Sequence, residues 1–206
     1  MKTLVCLLSA IFFLISGFNA HAGEPTDQIR VTVDKVIDIL KNKEMKRPDK
    51  TRERRSAIRK VVLERFDFEE MAKRSLAQNW SKRTPEEKKE FVSLYTDLLE
   101  RSYIKKIENY SDEKVVYLEE KTDGENSIVK TKMITKNGTE IPVDYKLAKL
   151  NSRWNVYDIS VEGVSLVNNY RNQFNKIIRS HVNGYAELLK MMRSKQEDEA
   201  FEEKKK

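Results

Sequence analysis

The sequence predicts an α+β fold: N-terminal helices, a four-stranded antiparallel sheet and a long C-terminal helix packed on that sheet. Three observations carry this. As far as about Asn109, apolar residues recur every three or four positions, the period of a helix with one dry face. Between Lys114 and Val161 the period drops to two, in β-branched and aromatic runs separated by turn residues. After Gly163 the helical period returns and persists to Met192. Helices and strands that segregate along the chain in this way build layers of separate type rather than alternating βα units.

The first residues belong to none of these layers. Lys2, an apolar run over 4–15 and Ala20-His21-Ala22 are the basic, apolar and A-x-A parts of a cleavable secretory signal peptide. The run is too short for a permanent membrane span; the alternative is an uncleaved amphipathic start. Cleavage after Ala22 removes the only cysteine, Cys6, and one of two histidines, His21. Cys6 also lies too early to be a lipoprotein attachment site. An exported chain without cysteine has no disulfide, thiol nucleophile or thiolate metal site. His181, the remaining histidine, falls on an apolar stripe and reads as a core residue. Neither a catalytic triad nor a zinc site has its usual complement of ligands, and no phosphate-binding glycine motif is present. The net charge of +7 is not accompanied by a base-reading motif, and export argues against nucleic acid as a partner.

The elements follow in order. Ile29, Val33, Val36, Ile37 and Leu40 mark one face of a helix over 26–45, started by Pro25, Thr26 and Asp27. Pro48 separates it from a helix over 50–66 that buries Ile58, Val61, Val62 and Phe66. Its outer face carries Arg52, Arg54, Arg55, Arg59 and Lys60, read as a solvated face or as a dock for acidic partners or anionic head groups. A short helix over 68–76 leads to Trp80. Thr84-Pro85-Glu86-Glu87 is a capping box with proline at the first helical position, and the helix it opens turns Phe91, Leu94, Tyr95, Leu98, Leu99 and Tyr103 to one broad face.

Strands are expected over 114–119, 127–136, 139–149 and 153–161. Asp123-Gly124 and Asn137-Gly138 suit type I′ hairpin turns, and 149–152 a third turn, so the four strands form a meander. Val129, Thr131, Met133, Ile141, Val143, Tyr145 and Leu147 would face inward, with Lys130, Lys132, Asp144 and Lys146 toward water. One helix over 164–192 closes the domain, with Val167, Tyr170, Phe174, Ile177, His181, Tyr185, Leu188 and Met192 in a stripe. The domain thus occupies 23–193, and 194–206 form a charged, disordered tail.

Three strings go beyond pattern: FDFEEMAKRSLAQNW, RTPEEKKEFVSLYTDLLERSY and VDYKLAKLNSRWNVYDISVEGVSLVNNYRNQF. They resemble the MlaC, or toluene-tolerance auxiliary, family. The most specific part is Trp154, Val156, Tyr157, Asp158, Val161, Glu162, Gly163, Val164, Ser165, Tyr170, Arg171 and Phe174, and a second match runs from Phe66 to Ala72. Two departures are Ala77-Gln78-Asn79, where a Leu-Gly step is expected before the tryptophan, and the charged tail. The resemblance implies a periplasmic phospholipid carrier that is not an enzyme and needs no cofactor, with phospholipid as its cargo. It implies helices and sheet enclosing an apolar cavity. It also implies partners: an outer-membrane lipoprotein–porin complex, and an inner-membrane ABC transporter with an MCE-domain protein. Maintaining outer-membrane lipid asymmetry would be the role of that system.

On pattern alone, the converging apolar faces read as a solid core; the resemblance turns the set into a lipid-binding cavity. From the sheet the candidates are Val129, Met133, Val143, Tyr145 and Val156. The fourth helix adds Phe91, Tyr95, Leu98 and Tyr103, and the closing helix adds Val164, Val167, Tyr170 and Phe174. Asp158 and Glu162 suggest a competing reading, a small cone-shaped isomerase or dehydratase with one of them as base. The structural reading pairs these carboxylates with Arg171 or with helix amides near Ser165. Asn168 and Asn169 could edge a mouth or face solvent. An envelope adaptor with a solid core is the third possibility.

Overall fold

A computed structural model describes residues 23–109 and 113–204, and side chains as far as Ser194. The expected signal peptide lies outside the described residues. The helices are α1 (Glu24–Lys41), α2 (Thr51–Arg65), α3 (Phe68–Leu76), α4 (Pro85–Glu108), α5 (Leu166–Ser180) and α6 (Gly184–Lys204). Strands β1 (Lys114–Asp123), β2 (Asn126–Ile134), β3 (Glu140–Leu150), β4 (Arg153–Val161) and β5 (Val164–Ser165) form one antiparallel sheet in chain order. Short 3₁₀ turns at Pro48–Lys50 and Ala77–Lys82 complete the set.

Local chemistry accounts for most boundaries. The Thr84 hydroxyl accepts the Glu87 N–H at 3.2 Å while Glu87 accepts the Thr84 N–H at 2.9 Å, the reciprocal capping box that starts α4. The start of α1 is capped from the sheet instead: Glu120 on β1 accepts from the Thr26 N–H and hydroxyl at 2.9 and 2.6 Å. That bond seats α1 across the inner face of the sheet.

The type I′ signature, two consecutive positive φ angles, falls elsewhere than the glycine dipeptides suggest. Asn151 and Ser152 show it between β3 and β4, and Glu162 and Gly163 show it between β4 and β5. The latter turn creates the fifth strand, so the expected four-stranded meander carries one further two-residue strand. At Asp123-Gly124 the strands already pair through Asp123 and Asn126, leaving Gly124 and Glu125 as the central residues, with positive φ at Gly124.

A bulge in β4 has the largest effect on the interior. Leu147 pairs with Val156 but Lys146 pairs with Asp158, so Tyr157 is the extra residue. An extra residue reverses the alternation of faces. Val156 before the bulge and Ile159 and Val161 after it therefore all point inward, and Asp158 lies beside Lys146.

The closing helix is two helices. Its stripe is interrupted at 181–183, where His181 is extended at φ −131° and exposed, its Nδ1 2.9 Å from the Ile177 carbonyl oxygen. His181 is thus not the core residue its spacing suggests. Gly184 then passes so close to α5 that a Cβ would lie 2.0 Å from the Ile178 carbonyl oxygen, so only glycine fits. Both helices still face one core, because Val167, Tyr170 and Phe174 of α5 meet Leu188 and Met192 of α6 there.

The apolar interior divides into three clusters. The largest joins α3, α4, α5 and α6 around Met71, Leu76, Phe91, Tyr95, Tyr170 and Phe174. A second packs Ile29 of α1 on Val129, Leu147, Trp154 and Val156 of the sheet. The third joins α1, α2 and α4 through Leu40, Ile58 and Ile104.

Ala77 ends α3 at φ +50° and ψ −123°, a region that a β-carbon disfavours and glycine enters freely. Replacing Ala77 with glycine should raise stability by about 1 kcal/mol, since relief of strain of this kind exceeds the entropy cost of glycine. Thermal unfolding of the two proteins checks this; an unchanged or lower midpoint would contradict it.

Candidate binding cavity

The second and third clusters do not meet. Between them lies a cavity of about 670 Å³, within the range of sites that enclose small molecules and far above the voids of a packed core. Its floor is the inner face of the sheet: Val115, Met133, Val143, Tyr145, Ile159 and Val161. Its walls are Ile29, Val33, Val36, Ile37 and Leu40 of α1, Ile58, Val62 and Leu63 of α2, and Leu99, Tyr103, Ile104 and Ile107 of α4. Phe66, Phe68, Met71, Val164 and Leu166 close the remaining sides.

The threonine hydroxyls on this wall are satisfied within the protein. Thr32 and Thr96 donate their hydroxyls to the carbonyls of Gln28 and Val92 at 2.9 and 2.8 Å, leaving their methyl groups for the cavity. Burial pushes the Tyr145 phenol up to about 12, so it remains neutral. Such a space disfavours water and favours hydrocarbon.

The arginines of α2 are not a free basic surface. Arg54 and Arg55 both bond Glu108 of α4, with Arg54 Nη2 at 2.7 Å and Arg55 Nη2 at 3.0 Å, and Arg59 reaches Asp97 at 3.2 Å and Glu100. Arg52 and Lys60 alone of that set are exposed. These bridges join α2 to α4.

Five of the thirteen candidate residues line this space: Tyr103, Met133, Val143, Tyr145 and Val164. Val129 and Val156 lie fully buried beneath α1 instead. Phe91 meets Phe174 and Tyr95 meets Tyr170 edge to face in the large cluster, with centroids 5.7 and 5.6 Å apart; Val167 is buried in the same cluster and Leu98 packs against it. The apolar stripes of α1 and α2 supply lining residues absent from the candidates. Their spacing was visible, but nothing in it separates a face packed on protein from one left open.

Asp158 is held structurally. Ser165 donates its hydroxyl to Oδ2 at 2.7 Å, the Val167 N–H donates to Oδ1 at 3.1 Å, and Lys146 lies 3.2 Å away. The carboxylate therefore supports the N-terminus of α5, where negative charge is favoured. Arg171 does not pair with it, since its Nε donates to the Arg74 carbonyl at 2.9 Å. Asn168 and Asn169 are both exposed, and Asn169 edges the cavity.

The profile of the MlaC protein family matches residues 30–194. The chain belongs to the MlaC family. Among MlaC relatives, it is 24% identical over 160 residues to the intermembrane phospholipid transport system binding protein MlaC of Haemophilus influenzae, covering 75% of each chain. It is 23% identical over 175 residues to the toluene tolerance protein ttg2D of Pseudomonas putida, covering 84% of this chain and 80% of that one. A solved phospholipid-binding protein from Ralstonia solanacearum, in complex with a phospholipid, shares the fold with a TM-score of 0.75 at 24% identity. The match covers 84% of this chain and 98% of that one.

Glu108 is 12% exposed and faces two guanidinium groups. Substitution by glutamine removes the carboxylate that Arg54 bonds twice in a largely buried setting, so Glu108→Gln should lower stability by about 2–3 kcal/mol. Urea denaturation measures this, and an unaltered midpoint would show that the bridge contributes nothing.

Proposed function

We propose that the cavity holds the acyl chains of a phospholipid, and that the protein carries this cargo between membranes as the binding component of an intermembrane phospholipid transport system. The observation that carries the reading is the open space itself: a large, mainly apolar volume, in a chain of the MlaC family. Membership of that family makes the chain a lipid-binding carrier rather than an enzyme, and the commitment of both Asp158 oxygens to the start of α5 agrees with it. The N-terminal signal features support work in the periplasm, between an outer-membrane lipoprotein–porin complex and an inner-membrane MCE-domain ABC transporter.

The energetics suit transfer rather than trapping. Roughly thirty methylenes at about 0.8 kcal/mol each represent on the order of 20 kcal/mol against water. Those same methylenes are already dry in a bilayer, so loading from a membrane is nearly neutral in the apolar term. Small differences in fit then set how readily cargo is taken up and released.

Organic extraction of the purified protein followed by mass spectrometry should yield phospholipid in near-stoichiometric amount; lipid-free protein that takes up none from vesicles would refute the proposal. Val143 projects from the cavity floor. A Val143→Trp variant should retain several-fold less lipid with an unchanged circular dichroism spectrum, whereas undiminished retention would place the acyl chains elsewhere.

A further inference from the structure

Most charge on the cavity wall is neutralised inside the protein. Arg59 sits against Asp97 and Glu100, and Glu113 is also engaged. Lys106 of α4 and Glu162 of the β4–β5 turn differ. Both line the cavity and are exposed, and among the described residues neither charge has an ion-pair partner. The Lys106 ammonium lies 5.3 Å from the centre of the Tyr103 ring.

The fold gathers these residues at one rim. Tyr170 donates its hydroxyl to Ser102 at 3.4 Å, tying α5 to the last turns of α4. Asn169 is the residue before Tyr170, and Lys106 is one turn beyond Ser102. Glu162 opens the turn that leads into α5, its N–H bonded to the Pro142 carbonyl at 3.0 Å. Between Glu162 and Asn169 in the chain, Val164 lines the cavity yet is 57% exposed. The lining strand residues Val115, Met133, Val143 and Val161 share the same end of the sheet. The cavity therefore opens here, with an apolar throat and one free charge of each sign.

We propose that this rim is a head-group subsite selective for zwitterionic phospholipids bearing a primary ammonium. Lys106, with Asn169 on the same cavity lining, holds the phosphate, and Glu162 accepts hydrogen bonds from the ammonium. This rests on the carrier reading and adds the chemical class of the head group. A phosphoglycerol head brings a net negative charge toward Glu162 with nothing to offset it. A trimethylammonium has no N–H to donate, and the Tyr103 face that could attract it already lies under Lys106. Exposed charge pairs of this kind discriminate about two- to five-fold, and less as salt screens them.

The test is a competition. Delipidated protein is equilibrated at low salt with vesicles of equal parts phosphatidylethanolamine and phosphatidylglycerol of identical acyl chains, recovered, extracted and analysed by mass spectrometry. The wild type should enrich the ethanolamine lipid about two- to five-fold. Glu162→Gln should return the ratio to that of the vesicles. Lys106→Gln should lower retention of both lipids, and Lys105→Gln, exposed but outside the cavity lining, should match the wild type. A wild-type ratio equal to the vesicles, or enrichment that survives Glu162→Gln, would overturn the subsite while leaving the carrier intact. Absence of both lipids from every protein would overturn the carrier reading itself.

Discussion

Every feature of this molecule depends on keeping two apolar layers apart. The inner face of the sheet and the facing stripes of α1, α2 and α4 would gain by collapsing onto each other, since burial favours contact and voids forfeit dispersion. Solid packing on either side prevents this. Ile29 seats α1 on Val129, Leu147 and Val156 at one end, and the aromatic cluster of Phe91, Tyr95, Tyr170 and Phe174 fixes α4 against α5. Arginine–carboxylate bridges then tie α2 to α4 beside the Ile58 and Ile104 cluster. The space left between is a consequence of rigid surroundings.

That division of labour explains why polar groups crowd the strand-to-helix junction near Asp158. The segment must turn twice within a few residues, through the Tyr157 bulge and the Glu162-Gly163 turn, and then start a helix. Asp158, Ser165 and Lys146 satisfy the backbone and charge that such a path leaves over. The junction joins the floor of the cavity to its wall.

Much of this was legible in the sequence, for identifiable reasons. The Thr84 capping box, the bounds of α3 and the inward set from Val129 to Leu147 follow from side-chain chemistry and period, which tertiary context did not override. The bulge was not legible, because strict alternation from Val156 puts Ile159 on the wrong face. The break at Gly184 was hidden as well, since the stripe resumes in phase in α6. The cavity wall was legible only in part. Apolar spacing on α1 and on α5 looks alike, although one faces open space and the other faces Tyr95 and Phe91. A dry face in a sequence does not say whether protein or ligand keeps it dry.

The central claim is that acyl chains occupy the space over Met133, Val143 and Tyr145 and stay out of the aromatic cluster. A phospholipid carrying a photoreactive diazirine in mid-chain, loaded from vesicles and irradiated, reports this directly by peptide mapping. The account predicts adducts on cavity residues such as Met133, Tyr145, Val36 and Ile58. Adducts confined to the surface, or concentrated on Phe91, Tyr95 and Phe174, would contradict it.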